Sequence, residues 1–370
     1  MTASRIAVTA RDGAARAGTV TTARGAFATP CFMPVGTRGT VRALTAADVE
    51  ALGYEVVLAN TYHLMLRPGT EVVEALGGIH PFSGWRGHVL TDSGGYQVFS
   101  LQPRVDDGGV TFRSVYDGAW HRLTPEDAVA VQERLGSDIQ MVLDVCPALP
   151  APRDVLVTAV ERTAAWAARA RRAHKRPHQA IFGIVQGGTD PELRARSARL
   201  TVELGFDGYG IGGLSVGESR AEMLGALDAV MPELPADSPR YLMGVGDPVG
   251  LVEAVARGVD IFDCVLPTRL GRHGTALTSA GKVALKSAAM SADQAPIDPG
   301  CGCPVCARWS RAFIRHLLCV GEPAASRMVS IHNLAWVRDL MGRIRAAVET
   351  GTLDQLRAEL EASWAAGSAG

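Results

Sequence analysis

Three cysteines and one histidine near the end of the chain have a spacing that is typical of a metal site. Cys301, Cys303 and Cys306 lie within six residues, and His332 follows after a further 25 residues. Three thiolates and one imidazole complete the tetrahedral ligand set that Zn2+ prefers, and no position is left for water or substrate. The spacing therefore predicts one structural zinc ion, and the catalytic residues must lie elsewhere in the chain.

A disulfide framework is a weaker interpretation of the same cysteines. Cys301 and Cys303 are too close in sequence to cross-link the chain usefully, and residues 1–20 contain no apolar run of signal-peptide length. No stretch of the chain approaches the length of a membrane span. With 47% hydrophobic and 20% charged residues, we expect a soluble, cytoplasmic protein with a well-formed core.

Three aspartates and a glutamine follow apolar segments that are predicted to be strands. They are Asp92, Asp144, Asp263 and Gln186. Burying a lone carboxylate is costly, so such a residue is usually either paired or used. The N-cap of a following helix would explain any one aspartate, but it explains the whole set poorly. Two carboxylates beside a glycosidic carbon can run a double displacement, in which one attacks the carbon and the other protonates the leaving group.

The remaining polar groups suit a flat heterocycle. A third carboxylate and a carboxamide can hydrogen-bond its edge, and Tyr96 with Met243 could enclose its faces. The chain has 6 Trp and 6 Tyr, too few to indicate a long carbohydrate cleft. The glycine pairs at 94–95, 187–188 and 212–213 match neither a dinucleotide fingerprint nor a P-loop. A purine nucleoside is therefore the favoured substrate class.

Eight short apolar segments alternate with helix-compatible segments, which predicts a (β/α)8 TIM barrel of the α/β class. Catalytic residues of such barrels lie at the carboxyl ends of the strands, where the three aspartates and Gln186 are expected. An open doubly wound sheet is the alternative. The predicted strands are 31–36, 55–60, 88–92, 139–144, 180–186, 207–212, 240–245 and 259–263.

Several additions to the barrel are predicted within a single catalytic domain, 1–370. Thr124-Pro125 and Asp190-Pro191 have the N-cap and first-turn proline with which helices begin. Between them, 153–176 is predicted to be the longest helix. A hairpin with an Asp117-Gly118 turn is expected at 109–123. The predicted divisions are a leading β-hairpin at 1–25, a barrel core at 26–284, a zinc-binding subdomain at 285–350 and a C-terminal helix at 351–370, with helices at 333–349 and 353–366.

Charge is unevenly distributed along the chain. The net charge is −1, yet residues 259–345 contain 11 Lys/Arg against 6 Asp/Glu, an excess of +5. Solvated helix faces would explain such an excess. Because it coincides with the zinc segment, a polyanionic partner is an attractive second interpretation.

Six strings, together with the Cys3His set, resemble the bacterial type of tRNA-guanine transglycosylases over residues 5–350. They are NTYHLMLRPG (60–69), DSGGYQVFS (92–100), GIVQGG (183–188), IGGLSVGE (211–218), YLMGVG (241–246) and DIFDCVLPTR (260–269). The resemblance implies exchange of a guanine in tRNA for a 7-deazaguanine base, with Asp263 as nucleophile and Asp92 as general acid and then base. Burial is expected to raise the pKa of Asp92 while Asp263 stays ionised.

The resemblance also implies binding roles. For the guanine or 7-deazaguanine base they fall to Ser93, Gly94, Gly95, Tyr96, Asp144, Cys146, Gln186, Gly212, Gly213, Leu214, Glu218 and Met243. For tRNA they fall to Gly244, Val245, Gly246, Asp247, Pro248, Val249 and Gly250 and to Thr268, Arg269, Leu270, Gly271 and Arg272. Lys282, Lys286 and Arg311 are further candidate phosphate contacts.

One position departs from the pattern of the bacterial subtype. Cys146 and Glu218 agree with bacterial members that use the aminomethyl base preQ1 in the anticodon wobble position. Val145 stands where those members usually have glutamate, so queuine as the base is an alternative, as is a DNA-modifying paralogue. An inactive RNA-binding subunit and a barrel glycoside hydrolase are the rivals from other classes. Relatives form homodimers, and we expect the same here.

Overall fold

The computed structural model describes residues 4–365. Two of its helices are capped as the sequence predicts. Thr124 caps the helix Pro125–Leu135 with a capping box, and Asp190 caps the helix Pro191–Val202, and each cap is followed by proline in the first turn. The strands are β1 (Arg5–Asp12), β2 (Ala15–Thr22), β3 (Gly25–Thr29), β4 (Cys31–Gly36), β5 (Val56–Ala59), β6 (His88–Thr91), β7 (Arg104–Asp106), β8 (Gly109–Arg113), β9 (Trp120–Leu123), β10 (Ile139–Met141), β11 (Ala180–Val185), β12 (Gly208–Ile211), β13 (Arg240–Leu242), β14 (Ile261–Cys264), β15 (Thr275–Thr278) and β16 (Gly281–Ala284). The helices are α1 (Ala46–Ala51), α2 (Thr61–Leu64), α3 (Thr70–Ala75), α4 (Ile79–Ser83), α5 (Gly95–Phe99), α6 (Pro125–Leu135), α7 (Arg153–Ala173), α8 (Pro191–Val202), α9 (Arg220–Val230), α10 (Pro248–Ala256), α11 (Leu266–His273), α12 (Arg311–Cys319), α13 (Pro323–Thr350) and α14 (Leu353–Ala365), with a π-helical turn at Met65–Gly69.

Eight parallel strands close into a barrel in the order β4-β5-β6-β10-β11-β12-β13-β14, and β14 pairs again with β4. These are the eight strands that the sequence predicts, so the (β/α)8 barrel is confirmed and the open sheet is wrong. Strands such as β4 and β11 are buried along their whole length, as expected where helices cover one face and barrel side chains fill the other.

The N-terminal strands form a three-stranded antiparallel sheet that covers the amino ends of the barrel strands. The predicted hairpin at 1–25 is therefore too short, because β3 continues the sheet to Thr29; residues 1–3 lie outside the described range. Arg16 on β2 binds Asp260, which precedes β14, through two hydrogen bonds of 2.7 and 2.6 Å. This bidentate pair attaches the sheet to the barrel.

The segment between β6 and α6 adds a second antiparallel sheet, β7-β8-β9. The predicted hairpin at 109–123 is confirmed as β8 and β9, and Gly118 takes a φ of +73° in the turn between them. β7 was not predicted, since it is only three residues long. The sheet packs on the barrel through buried Phe112 and Val110 in a cluster with Tyr62 and Trp166.

The C-terminal part is less separate from the barrel than the predicted subdomain 285–350 suggests. α13 begins at Pro323 rather than near residue 333, and it runs unbroken to Thr350. It contacts β4 and α11 of the barrel as well as β15 and α12. A single long helix therefore carries His332 and covers the barrel. None of the helices between residues 4 and 365 combines the length and apolar composition that crossing a bilayer requires.

Candidate active site and metal centre

A cavity of about 410 Å³ opens at the carboxyl ends of the barrel strands. The strand ends converge there because all eight strands run parallel. Asp92, Asp144 and Asp263 all lie in its wall, so the structure brings together the three carboxylates that the sequence singled out. The other lining residues are Val35, Thr37, Leu58, Asn60, His63, Ser93, Tyr96, Gln97, Cys146, Gly212, Gly213, Leu214, Ser215, Val216, Tyr241, Met243, Gly244, Cys264, Val265 and Arg269.

Asp92 is held by donors from the neighbouring strand end. Asn60 follows β5 and donates its side-chain amide to Oδ2, while the backbone N–H of Thr61 donates to Oδ1 at 2.8 Å. The N–H of Gly94 also reaches Oδ1, at 3.2 Å. Burial raises the pKa of Asp92 to about 6, although these hydrogen bonds act in the opposite direction.

Asp144 lies three residues beyond the last paired residue of β10. The side-chain amide of Gln186 donates to its Oδ2 at 2.5 Å. Burial raises the pKa of Asp144 to about 6; the bond from Gln186 opposes that shift, and the charge of Asp92 adds to it. Gln186 itself stands behind Asp144, and its buried Oε1 has no hydrogen-bond partner in the described part of the chain.

Asp263 lies on β14 and is partly exposed to the cavity. The hydroxyl of Tyr241 donates to its Oδ1 at 2.6 Å, and the N–H of Gly244 donates to the same oxygen at 2.9 Å. Desolvation raises the pKa of Asp263, and these two bonds lower it. The raised pKa expected for Asp92 is therefore not confined to Asp92, since burial raises the pKa of Asp263 as well.

The three carboxylates share one electrostatic property. Within residues 4–365, none of them forms an ion pair with a lysine or an arginine, and each is held by neutral amide or hydroxyl donors. A cation nearby would hold the pKa of a carboxyl low. Without one, Asp92 and Asp144 can be protonated near pH 6, which is what proton transfer requires.

The predicted base-binding residues divide into a lining set and a supporting set. Ser93, Tyr96, Asp144, Cys146, Gly212, Gly213, Leu214 and Met243 line the cavity. Gly94, Gly95, Gln186 and Glu218 stand behind that wall. A Cβ at Gly213 would lie 2.2 Å from Oε1 of Gln186, and its φ is +65°, so only glycine fits there.

Glu218 supports the cavity wall from behind. Its Oε1 accepts the N–H of Ser215 and its Oε2 accepts the N–H of Val216 at 3.0 Å. Ser215 has a φ of +61°, which is uncommon for a residue other than glycine. Because a peptide unit is trans and planar, the Leu214 carbonyl points away from Glu218.

Arg194 is a supporting residue that no local sequence pattern indicates. It is fully buried on α8 and donates to the carbonyls of Gly188 at 2.6 Å, Gly212 at 2.7 Å and Gly213 at 3.0 Å. Burial lowers the pKa of Arg194 to about 10. The guanidinium thus fixes the two-glycine segment that lines the cavity.

The predicted RNA-binding segments are only partly accessible. Val245, Gly246, Pro248, Val249 and Gly250 are buried at the start of α10, and Asp247 caps that helix and pairs with Arg220 at 2.6 Å. Gly244 alone of that run lines the cavity.

In the second segment Thr268 and Gly271 are buried and Leu270 is half-buried, whereas Arg269 is exposed and Arg272 is half-buried. Lys282 and Lys286 are exposed. Arg311 is a poor phosphate contact, because it pairs with Asp293 at 3.0 Å.

The Cys3His cluster forms a compact candidate metal centre. One ligand atom from each of Cys301, Cys303, Cys306 and His332 lies within 4.8 Å of the others. Nδ1 of His332 is 3.3 Å from Sγ of Cys306, and Nε2 is 2.8 Å from the carbonyl of Leu277. Because a carbonyl only accepts, the proton lies on Nε2 and the lone pair of Nδ1 faces the thiols.

Comparison with known proteins agrees with this architecture. A family model described as "Queuine tRNA-ribosyltransferase" matches residues 12–366. The queuine tRNA-ribosyltransferase of Moorella thermoacetica is 51% identical over 351 residues, which cover 94% of each chain. That of Symbiobacterium thermophilum is 52% identical over 359 residues, covering 96% of this chain and 90% of the relative. That of Thermus thermophilus is 50% identical over 349 residues, covering 94% and 91%.

The match of family model and relatives over nearly the whole chain confirms the resemblance inferred from the six sequence strings. The chain belongs to the queuine tRNA-ribosyltransferase family, the tRNA-guanine transglycosylases.

Proposed function

We propose that this enzyme exchanges the wobble guanine of a tRNA anticodon for the 7-deazaguanine base preQ1, a step of queuosine biosynthesis. The observation that carries the proposal is the cavity with three carboxylates, to which no lysine or arginine within residues 4–365 is paired, in a member of a family whose name couples queuine with tRNA. A carboxyl group that protonates near pH 6, beside a second carboxylate that can attack C1′, suits the making and breaking of a glycosidic bond.

The reaction is a double displacement. Asp263 attacks C1′ of the ribose, the bond from C1′ to guanine N9 breaks, and the departing base takes a proton from Asp92. The incoming base then gives its N9 proton to Asp92 and attacks C1′, which releases Asp263. Two inversions retain the configuration. Both hydrogen bonds to Asp263 end on Oδ1, which supports Oδ2 as the attacking atom.

Tyr241 supports that role of Asp263. Burial, followed by the charge of Asp263, raises the pKa of Tyr241 well above its usual value, so the phenol stays a neutral donor throughout. Asp144, together with the peptide of Gly213, is proposed to bind the purine edge, with Gln186 orienting Asp144. Tyr96 is 63% exposed at the mouth and is proposed to stack on one face of the base, with Met243 on the other.

The choice of preQ1 rests on Glu218 and Leu214. The Leu214 carbonyl points away from Glu218 and has no hydrogen-bond partner among the described residues, so it can accept from the aminomethyl cation of preQ1. Val145 does not line the cavity; it belongs to the buried cluster that also contains Trp166 and Leu143. Because residue 145 lies outside the cavity wall, its departure from the bacterial pattern does not argue against preQ1.

We propose that the Cys3His centre holds Zn2+. The separations from Nδ1 of His332 to Sγ of Cys306 and Cys303 are 3.3 and 3.6 Å, near the roughly 3.5 Å edge of a tetrahedral zinc site. The protein fills all four positions, so the ion supplies structure and not Lewis-acid chemistry. Its ligands join the segment before α12 to the middle of α13. A homodimer, a cytoplasmic location and tRNA binding through Arg269 and Arg272 stay predictions.

Asp263→Asn should abolish base exchange, because an amide cannot form the ester with C1′. We expect loss of labelled-guanine incorporation into tRNA by several orders of magnitude, and no enzyme–RNA band on a denaturing gel. Tyr241→Phe is the matched control, since it removes a hydrogen bond but leaves the nucleophile, and its adduct should persist. An adduct that survives in Asp263→Asn would falsify the assignment.

The pH dependence should separate Asp92 from Asp144. A raised carboxyl pKa extends the protonated form to higher pH, so the acid form of Asp92 is present below about 6 and is lost above it. The kcat/KM for tRNA should therefore fall as the pH rises through 6. Asn60→Ala removes a bond that lowers the pKa of Asp92 and should move this limb upward. If Gln186→Ala moves this limb of the pH profile and Asn60→Ala does not, the limb belongs to Asp144.

Glu218→Gln should reduce selectivity for preQ1. The amide cannot accept from both Ser215 and Val216, so the Leu214 carbonyl is no longer fixed. We expect kcat/KM for preQ1 to fall about tenfold, equivalent to about 1.4 kcal/mol, while guanine exchange changes little because guanine has no aminomethyl group. Equal losses for the two bases would show that Glu218 supports the fold and does not select the base.

Cys303→Ser should release the metal and destabilise the C-terminal part of the chain. Structural zinc contributes on the order of 10 kcal/mol to small zinc domains, so a fall in the melting temperature is expected along with loss of zinc by elemental analysis. Cys319→Ser is the control, because Cys319 is exposed on α12 and outside the cluster. Wild-type protein that binds no stoichiometric zinc would contradict the assignment.

A further inference from the structure

Five arginines lie on the segments that follow three adjacent barrel strands, and we call them the arginine arc. Arg269 and Arg272 follow β14, Arg38 and Arg42 follow β4, and Arg67 follows β5. β14, β4 and β5 are consecutive in the closed barrel. The groups proposed to bind the purine edge, by contrast, follow β10, β11 and β12, on the other side of the mouth. Strand order thus separates a cationic side of the cavity from a base-binding side.

No ion pair compensates the arc within residues 4–365, although the described chain contains many arginine–carboxylate pairs. The acid next along the chain from Arg67, Glu71, binds Arg134 at 2.7 Å. Asp117 accepts the N–H of Ala119 in its own turn at 3.0 Å. Burial lowers the pKa of Arg272, and the charges of Arg42 and Arg269 lower it further, so these arginines are close enough to repel one another.

Two members of the arc are held against one aromatic ring. The guanidinium carbons of Arg67 and Arg38 lie 4.8 and 5.6 Å from the ring centre of Tyr116, within the range of cation–π attraction. The Tyr116 hydroxyl lies 2.8 Å from Nδ1 of His63. His63 lines the cavity, as does Thr37 beside Arg38. The β8–β9 connection therefore holds both arginines at the rim of the active site.

We propose that Arg38 and Arg67, held against Tyr116, form a phosphate-binding site for the RNA backbone next to the exchanged nucleotide. This inference rests on the proposed function. With the base directed toward β10–β12 and C1′ at Asp263 on β14, the sugar–phosphate chain lies over β14, β4 and β5. Arg269 and Arg272 contact one part of that sugar–phosphate chain, and Arg38 and Arg67 contact the next part. Guanidinium groups that lack carboxylate partners are the preferred ligands of phosphodiester oxygens.

The test compares salt dependence of tRNA binding in the full-length enzyme. Each phosphate contact on a single strand contributes about 0.7 to the slope of log K against log salt. Arg38→Gln/Arg67→Gln should therefore reduce the slope by about 1.4 and raise the KM for tRNA, while affinity for free guanine is unchanged. Arg172→Gln is the matched control, because Arg172 is exposed near the end of α7, at the opposite end of the barrel. The salt slope of this variant should equal the wild-type slope.

Tyr116 variants separate stacking from the bond to His63. Tyr116→Phe keeps the ring and should behave like wild type, whereas Tyr116→Leu removes the cation–π surface and should resemble the double arginine variant. A double arginine variant that keeps the wild-type salt slope overturns the proposal, even if that variant self-associates more weakly than the wild type. Wild-type enzyme that exchanges no guanine in tRNA would refute the proposed function instead, so the two failures are distinguishable.

Discussion

The fold gathers three carboxylates in one cavity, and no lysine or arginine in the described part of the chain pairs with them. Asp92, Asp144 and Asp263 are held by amide, hydroxyl and backbone N–H donors only, as far as residues 4–365 describe the site. Desolvation raises the pKa of each carboxyl, so the folded chain stabilises protonated forms that bulk water would not. That electrostatic cost is tolerated because the closed barrel and its outer helices bury a large apolar core.

The opposite end of the barrel shows how the same residue type is used for structure. Asp260 forms a bidentate pair with Arg16, and Asp138 pairs with Arg24 at 2.8 Å. Each of these aspartates also accepts an N–H from the start of a strand: that of Arg240, the first residue of β13, at 2.7 Å from Asp260, and that of Val89, the second residue of β6, at 2.8 Å from Asp138. A cation thus accompanies the aspartates that attach the N-terminal sheet, while those of the cavity have none among residues 4–365. Partner charge, rather than burial, distinguishes the two groups.

Sequence reasoning located the strands and the aspartates because both depend on local patterns. A β-branched run followed by a polar residue predicts a strand end, and parallel strand ends meet at one rim. Asn60 ends the predicted strand 55–60. Its contact with Asp92 could not be predicted, nor could the roles of Tyr241 and Arg194, for a common reason. Arg194 lies on α8 with Arg196 and Arg199, which pair with surface glutamates, and nothing in the local pattern distinguishes the one that turns inward. Such roles depend on contacts between distant segments.

Strand order also explains why one cavity can hold two chemically different surfaces. Asp144 after β10 and the glycines after β12 line one wall of the cavity, whereas the segments after β14, β4 and β5 carry arginines. Asp263 lies on β14, at the boundary between these surfaces, where the proposed double displacement would require the anomeric carbon of the nucleotide. α13 packs on both α11 and β4, so the helix that carries His332 also supports the loops of the cationic side. The candidate metal centre is thereby connected to the cavity through packing, although none of its four residues lines that cavity.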